Sequence, residues 1–283
     1  MIVARQRPDT SAIAGHYDDL DRFYREVWGE HVHHGVWESP SDPPEVATRR
    51  LIDLVAARAG VAPGASVCDV GCGYGGTARV LAREYGARVV GYTVSRAQYD
   101  HACAASARAG DPEFHLSDWL ANDLASASCD AVISIESSEH FEDKPRFFEE
   151  AARVLRPGGR VVVCAWLAGD RPRRWEEALL LEPICSEGRM PSMGDEGDYR
   201  GLFRRAGLVV DGFEDLSHKV RATWSVCLRR LGRGLVHDPS YRAALRDRGL
   251  KDRGFLVTMA RIWLAYTTGA MRYGLFAARK AAA

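Results

Sequence analysis

Two short stretches of this 283-residue chain gather the residue types that do chemistry. The first, VCDVGCGYGG at residues 67–76, joins an apolar run to a helical pattern, with Asp69 ahead of Gly71, Cys72 and Gly73. Glycines at a strand-to-helix turn let the backbone approach a ligand closely. The string also satisfies G-x-G-x-x-G, the dinucleotide fingerprint, but such a site wants an acid about 20 residues on for a ribose hydroxyl. Here the second apolar run ends in Gly91-Tyr92-Thr93-Val94-Ser95, and the next acid, Asp100, falls inside a helical pattern. That counts against a nicotinamide-dependent oxidoreductase.

The second stretch, SIESSEH at 134–140, places Glu136, Glu139 and His140 just after an apolar strand-like run. In an open α/β fold this is the carboxyl end of the sheet, where ligands bind. An imidazole could accept a hydroxyl proton there, which makes His140 the candidate general base; the alternative is a structural histidine bonded to the backbone. His31, His33 and His34 lie in EHVHHG without carboxylate or cysteine partners at metal-ligand spacing, so no metal is expected. Instead, His33 or His34 is expected to face an acceptor pocket and bind substrate or share the base role. Trp166, Trp175, Met190, Met193 and Trp224 are candidates for an apolar or aromatic acceptor wall, with ordinary core as the alternative for each.

Elements to position these groups follow from the hydrophobic pattern. Residues 16–60 show helical spacing and many aromatics. From residue 65, short apolar runs alternate with helical patterns, which predicts βαβ units and a parallel sheet with helices on both faces. A polar region with Arg, Pro and Gly over about 168–200 reads as a lid, residues 220–270 as helices, and the terminal run RYGLFAARK as a strand. That last strand is antiparallel if a tight hairpin-like connection reaches it. The expected organisation is a helical extension over 1–60, a ligand-binding core over 61–167, a cap over 168–207, and over 208–283 the last two strands with intervening helices that form part of the substrate pocket.

Lys plus Arg and Asp plus Glu each total 38. That balance calls for neither a nucleic acid nor an anionic membrane as partner. The amino terminus has no apolar h-region, no apolar run is long enough to span a bilayer, and the seven cysteines are scattered, so a cytoplasmic protein with reduced thiols is expected. A homodimer through the amino-terminal helices is possible.

The ordered motifs Asp69-x-Gly71-x-Gly73-x-Gly75, Thr93-x-Ser95-x-x-Gln98, Ser117-Asp118-Trp119 and LRPGG at 155–159 resemble those of class I S-adenosylmethionine-dependent methyltransferases. Within that superfamily, HYDDLDRFYREVWGEHVHHGVW, IESSEHFEDK and LLLEPICSEGRMPSMGDEGDY resemble the γ-tocopherol methyltransferase-like group of natural-product methyltransferases. The resemblance implies a Rossmann-like α/β fold with a seven-stranded, mostly parallel sheet, an antiparallel last strand, a helical amino-terminal extension and a helical cap.

It also implies S-adenosylmethionine as cofactor. Gly71, Cys72 and Gly73 would line its methionine and ribose portion, Thr93 and Gln98 would replace the ribose acid, and Asp118 and Trp119 would hold the adenine. Tyr17 is a candidate for the cofactor carboxylate, with a core tyrosine as the alternative. Asp69 and Glu136 complete the expected cofactor site. The related cyclopropane synthases carry a histidine where this chain reads Cys164-Ala165-Trp166, a departure that argues against bicarbonate-assisted alkene methylation. The expected activity is O-methylation of a hydroxyl on a small secondary metabolite. C- or N-methylation of an aromatic or prenyl acceptor, with Glu136 or Glu139 taking the proton, is the close alternative; a non-catalytic S-adenosylmethionine-binding protein is a third.

Overall fold

The computed structural model describes residues 1–246 and 254–282. The amino-terminal part is a short strand β1 (Ile2–Val3) and helices α1 (Thr10–Asp19), α2 (Asp21–Val27) and α3 (Pro44–Ala59). The core then alternates β2 (Ser66–Val70), α4 (Gly76–Arg83), β3 (Arg88–Thr93), α5 (Arg96–Ala104), β4 (Glu113–Leu116), β5 (Cys129–Ile135), α6 (Lys144–Val154) and β6 (Leu155–Ala168). After α7 (Arg174–Glu176), a π turn (Glu177–Leu181) and α8 (Glu182–Glu187) come β7 (Ser192–Met193), α9 (Glu196–Arg205) and β8 (Leu208–Asp215). Helices α10 (Ser217–Val220), α11 (Ala222–His237), α12 (Pro239–Arg246) and α13 (Gly254–Thr268) precede β9 (Met271–Lys280). Of the helical reading over 220–270, residues 247–253 lie outside the described residues.

Among the described residues the main sheet has seven strands in the order β4-β3-β2-β5-β6-β9-β8. Strands β2 to β6 pair in parallel, and β9 runs antiparallel to both β6 and β8. Strands read as apolar runs because both faces are covered. Val67, Ala131, Ile133, Val162 and Cys164 pack on one face with α3 and α4; Cys68, Val70, Val132, Val161 and Val163 pack on the other with α6 and α9. That alternation is the two-residue period of a strand.

The expected antiparallel last strand is present, but no tight connection reaches it. Asp215 pairs with Gly274 and Ala168 with Met271, so the chain leaves β8 and enters β9 at the carboxyl edge of the sheet. Because departure and return share one edge, the helices between them stack at that edge and do not cross a face. The expected cap also divides. β1 pairs with β7 across the segment from 168 to 193, whereas α9 packs beside α6, with the Phe148 and Phe203 ring centroids 4.5 Å apart. No helix among the described residues is long and apolar enough to cross a membrane.

Local sequence sets the ends of the elements that matter for the site. Asp9 caps α1 by accepting from the Ala12 N–H, and Ser95 caps α5 by accepting from the Gln98 N–H, which holds Gln98 at the carboxyl end of β3. Gly71, at φ +73°, ends β2 against the turn after β5; a Cβ there would lie 2.2 Å from Ser137 Cβ. Gly71→Ala combines left-handed strain with overpacking, and should cost about 3 kcal/mol. Thermal unfolding of this variant should show a Tm several degrees lower; an unchanged Tm would mean the two strand ends are not held this close.

Candidate active site

The glycine turn, the end of β3, the turn after β4 and the turn after β5 meet at the carboxyl edge and line a cleft roofed by Ile13 and Tyr17 of α1. Its floor includes Gly71, Gly73, Thr93, Gln98, Ser117 and Trp119. The Thr93 hydroxyl donates to Gln98 Oε1 at 2.9 Å, fixing the amide beside the cleft. α1 is held down by Asp18, which accepts from Ser95 Oγ at 2.6 Å and the Ala97 N–H at 3.0 Å, and by Thr10, which donates to Asp118.

At the glycine end lies a smaller recess shared by Asp69, Gly71, Cys72, Gly73, His31 and His33. Asp69 Oδ2 is buried and accepts no hydrogen bond among the described residues. Burial pushes this carboxyl up to about 7. Gly73, at φ +55°, faces open space, since a Cβ there would meet nothing within 4 Å. A carboxylate oxygen without a donor next to an open glycine suits a ligand ammonium.

On the other side the cleft adjoins a small chamber walled by Tyr17, Tyr24, Trp28, Trp166 and Met190 with Glu136, Glu139 and His140. Tyr17, Glu136 and His140 border both spaces. His140 Nδ1 lies 3.1 Å from the Arg189 carbonyl and Nε2 lies 2.9 Å from the Tyr17 hydroxyl. A carbonyl only accepts, so Nδ1 carries the proton and the Tyr17 O–H donates to the Nε2 lone pair. Burial pulls the imidazole down to about 4 and raises the Tyr17 phenol, the latter with help from Glu139 and Glu136. The ring is therefore neutral around pH 7, its accepting nitrogen aimed at the junction of cleft and chamber.

Glu136 has a different part. Its backbone is left-handed at φ +57°. One carboxylate oxygen accepts from the His34 backbone N–H at 2.8 Å and the Tyr273 hydroxyl at 2.7 Å; the other accepts from His34 Nδ1 and Trp166 Nε1, each at 2.9 Å. Burial raises its pKa, but His34 and His33 lower it further, leaving it at about 2. Trp224 Nε1 donates to His34 Nε2 at 2.6 Å. An indole can only donate, and His34 holds Glu136 by its backbone N–H and its Nδ1. Glu139 contrasts with it. Burial pushes its carboxyl up to about 7 even though it accepts from the Trp166 N–H and from Ser138 Oγ. Lys144, pulled down to about 8 by burial, donates to the Glu139 and Phe141 carbonyls and to Ser192 Oγ behind it.

Set against the sequence expectations, the structure brings Tyr17, Asp69, Gly71, Cys72, Gly73, Thr93, Gln98, Trp119, Glu136, Glu139 and His140 to the cleft, its recess or the chamber. Asp118 sits at the outer mouth, where its carboxylate caps the short turn at Trp119–Ala121. Trp119 is buried, with its indole N–H directed at the Phe147 carbonyl. Trp166 and Met190 line the chamber. Several acceptor-wall expectations are corrected. Trp224 and His34 are spent on each other and on Glu136, His33 faces the glycine recess with Nε2 3.3 Å from Thr77 Oγ1, Met193 is buried in the β1–β7 pair, and Trp175 is 42% exposed. Glu136 is also corrected as a proton acceptor, because four donors already occupy its lone pairs. Tyr24, Trp28, Tyr273 and the Arg189 carbonyl escaped the sequence reading; the helical spacing of Tyr17, Tyr24 and Trp28 was the available signal for the first two.

The mycolic acid cyclopropane synthetase family matches residues 4–231, and the chain belongs to it. The chain is 30% identical over 95% of its length to the chloroplastic tocopherol O-methyltransferase of Arabidopsis thaliana, of which it covers 81%. It is 29% identical over 97% of its length to the 27-O-demethylrifamycin SV methyltransferase of Amycolatopsis mediterranei, covering 98% of that protein. In fold it is similar to mycolic acid cyclopropane synthase CmaA1 complexed with SAH and CTAB, with a TM-score of 0.84 at 22% identity over 97% of this chain and 99% of that one. The chain is an S-adenosylmethionine-dependent methyltransferase. Its residues fit that cofactor, since the donorless Asp69 oxygen and the open Gly73 suit the amino-acid end and the long cleft runs from there past Thr93, Gln98 and Trp119.

Glu136→Gln would turn an amide N–H₂ toward two of the four donors, and should destabilise the protein by about 3 kcal/mol at neutral pH. With the folded pKa at about 2 against an ordinary 4.5, the carboxylate's contribution is complete above about pH 4.5 and is lost as pH falls toward 2. Urea midpoints of wild type and variant should therefore converge in acid. A constant gap from pH 7 to pH 3 would contradict the assignment.

Proposed function

We propose that this methyltransferase transfers the methyl group to a hydroxyl oxygen of a small secondary metabolite held in the chamber. The observation that carries this reading is the Tyr17–His140–Arg189 chain of hydrogen bonds, which presents a neutral imidazole lone pair, already taking a hydroxyl proton, where cleft and chamber meet. The tocopherol and rifamycin relatives, whose names describe methylation of such metabolites, agree with it.

Bound S-adenosylmethionine supplies an electrophilic methyl carbon. In this reading Asp69, Gly71, Cys72 and Gly73 hold its amino-acid end, Thr93 and Gln98 its ribose, and Trp119 flanks its adenine, with Asp118 at the mouth. Tyr24, Trp28 and Trp166 orient the acceptor by apolar and ring contact. When the acceptor oxygen is methylated, its proton would move to the Tyr17 oxygen while the Tyr17 proton moves to His140 Nε2. The Arg189 carbonyl steadies the imidazolium through Nδ1–H. Alignment supplies most of the acceleration, and the base adds about 10²–10⁴-fold.

The test is turnover on a panel of hydroxylated metabolites, followed as S-adenosylhomocysteine release, with the methylated atom located by NMR. His140→Ala should lower kcat about 100-fold or more and Tyr17→Phe about tenfold, each with unchanged affinity for S-adenosylhomocysteine. At saturating cofactor, the acid limb of wild-type kcat should sit near pH 4, because protonating Nε2 removes the acceptor. Methyl transfer to carbon, full activity in His140→Ala, or an acid limb near 7 set by Glu139 would each contradict the reading.

A further inference from the structure

We propose that the outer face of the cap is a docking surface for an anionic lipid bilayer. Two kinds of residue coincide there. Trp175 and Leu179, on successive turns of the helix that runs from α7 through the π turn, are 42% and 62% exposed. On α13, which packs against the π turn and α8, Trp263 and Leu264 are 42% and 38% exposed. Large apolar side chains presented singly are ordinary, but two tryptophans with two leucines on adjoining helices are a recognisable surface feature.

The second kind is charge. Arg171, Arg173 and Arg174 precede Trp175 directly and are exposed, and among the described residues none of their side chains makes an ion pair. The acids nearest in sequence are otherwise engaged or partly withdrawn: Asp170 pairs with Arg272, Glu176 is buried and accepts from the Arg173 N–H, and Glu177 is half-buried. A balanced net charge is a sum over the chain and does not prevent such local clustering. Arginines flanking exposed tryptophan and leucine match the chemistry of the headgroup layer, where guanidinium meets lipid phosphate and the indole lies at the acyl boundary.

The placement also has a use. The helix bearing Trp175 and Leu179 ends at Glu187, and the turn that follows carries Gly188 and Met190, which line the chamber. A protein seated by this face would bring that end of the chamber wall close to apolar metabolites dissolved in the membrane. Docking itself does not depend on which atom is methylated.

Co-sedimentation of the full chain with vesicles of phosphatidylglycerol and phosphatidylcholine, against phosphatidylcholine alone, tests the proposal. Binding should require the anionic lipid and weaken with salt. A triple variant, Arg171→Glu with Arg173→Glu and Arg174→Glu, should lose about 100-fold in partitioning, and Trp175→Ala with Leu179→Ala about tenfold, with S-adenosylhomocysteine affinity unchanged as proof of folding. Absence of wild-type binding to anionic vesicles would overturn it, as would binding indifferent to both variants. So would a face that instead joins two copies, seen as a dimer that becomes monomeric in Trp175→Ala with Leu179→Ala while vesicle binding is absent.

Discussion

The carboxylate of Glu136 is the point on which the functional edge of this fold is assembled. An ionised acid removed from water is costly unless every lone pair finds a donor. Here the donors come from residues 34, 166 and 273, and residue 224 braces the histidine among them. The amino-terminal extension, β6, β9 and α11 are thereby tied to the turn after β5, and the left-handed backbone at Glu136 aims the side chain toward them. Charge-assisted hydrogen bonds offset both the burial and the strain. Occupied in this way, Glu136 can build the site but cannot accept a proton in it.

In the proposed reaction the chemistry falls to neighbours that the same framework leaves available. His140, four residues on, is oriented by one backbone carbonyl and by the Tyr17 hydroxyl, so its tautomer is set by the cap on one side and by α1 on the other. α1 in turn is secured by Asp18 and Thr10 to the turns that floor the cleft. The roof over the cofactor cleft and the orientation of the imidazole are thus one mechanical unit. With that roof in place the cleft is covered and the imidazole oriented by the same contacts.

Much of this was legible in the sequence, for identifiable reasons. Parallel strands buried on both faces read as continuous apolar runs, and the glycine turn announces itself because Gly71 and Gly73 need positive φ. The Glu136 cluster was not legible: His34, Trp166, Trp224 and Tyr273 share no local spacing, and only the folded sheet makes them neighbours. Large apolar side chains marked Trp224 and Met193 as pocket candidates, yet composition cannot say which side of a wall a side chain occupies. The helices expected between the last two strands are present, but hydrophobic period gives the type of an element and not the edge of the sheet at which those helices stack.

The proposed site holds S-adenosylmethionine in the cleft along the glycine turn with its ammonium on Asp69. Calorimetric titration with S-adenosylhomocysteine from pH 6 to pH 8.5, on wild type and Asp69→Asn, tests it most directly. With the free carboxyl at about 7, wild-type affinity should strengthen as pH rises through that value and Asp69 ionises, while Asp69→Asn should bind weakly and with little dependence on pH in that range. An Asp69→Asn protein that binds as tightly as wild type at pH 8 would contradict the claim.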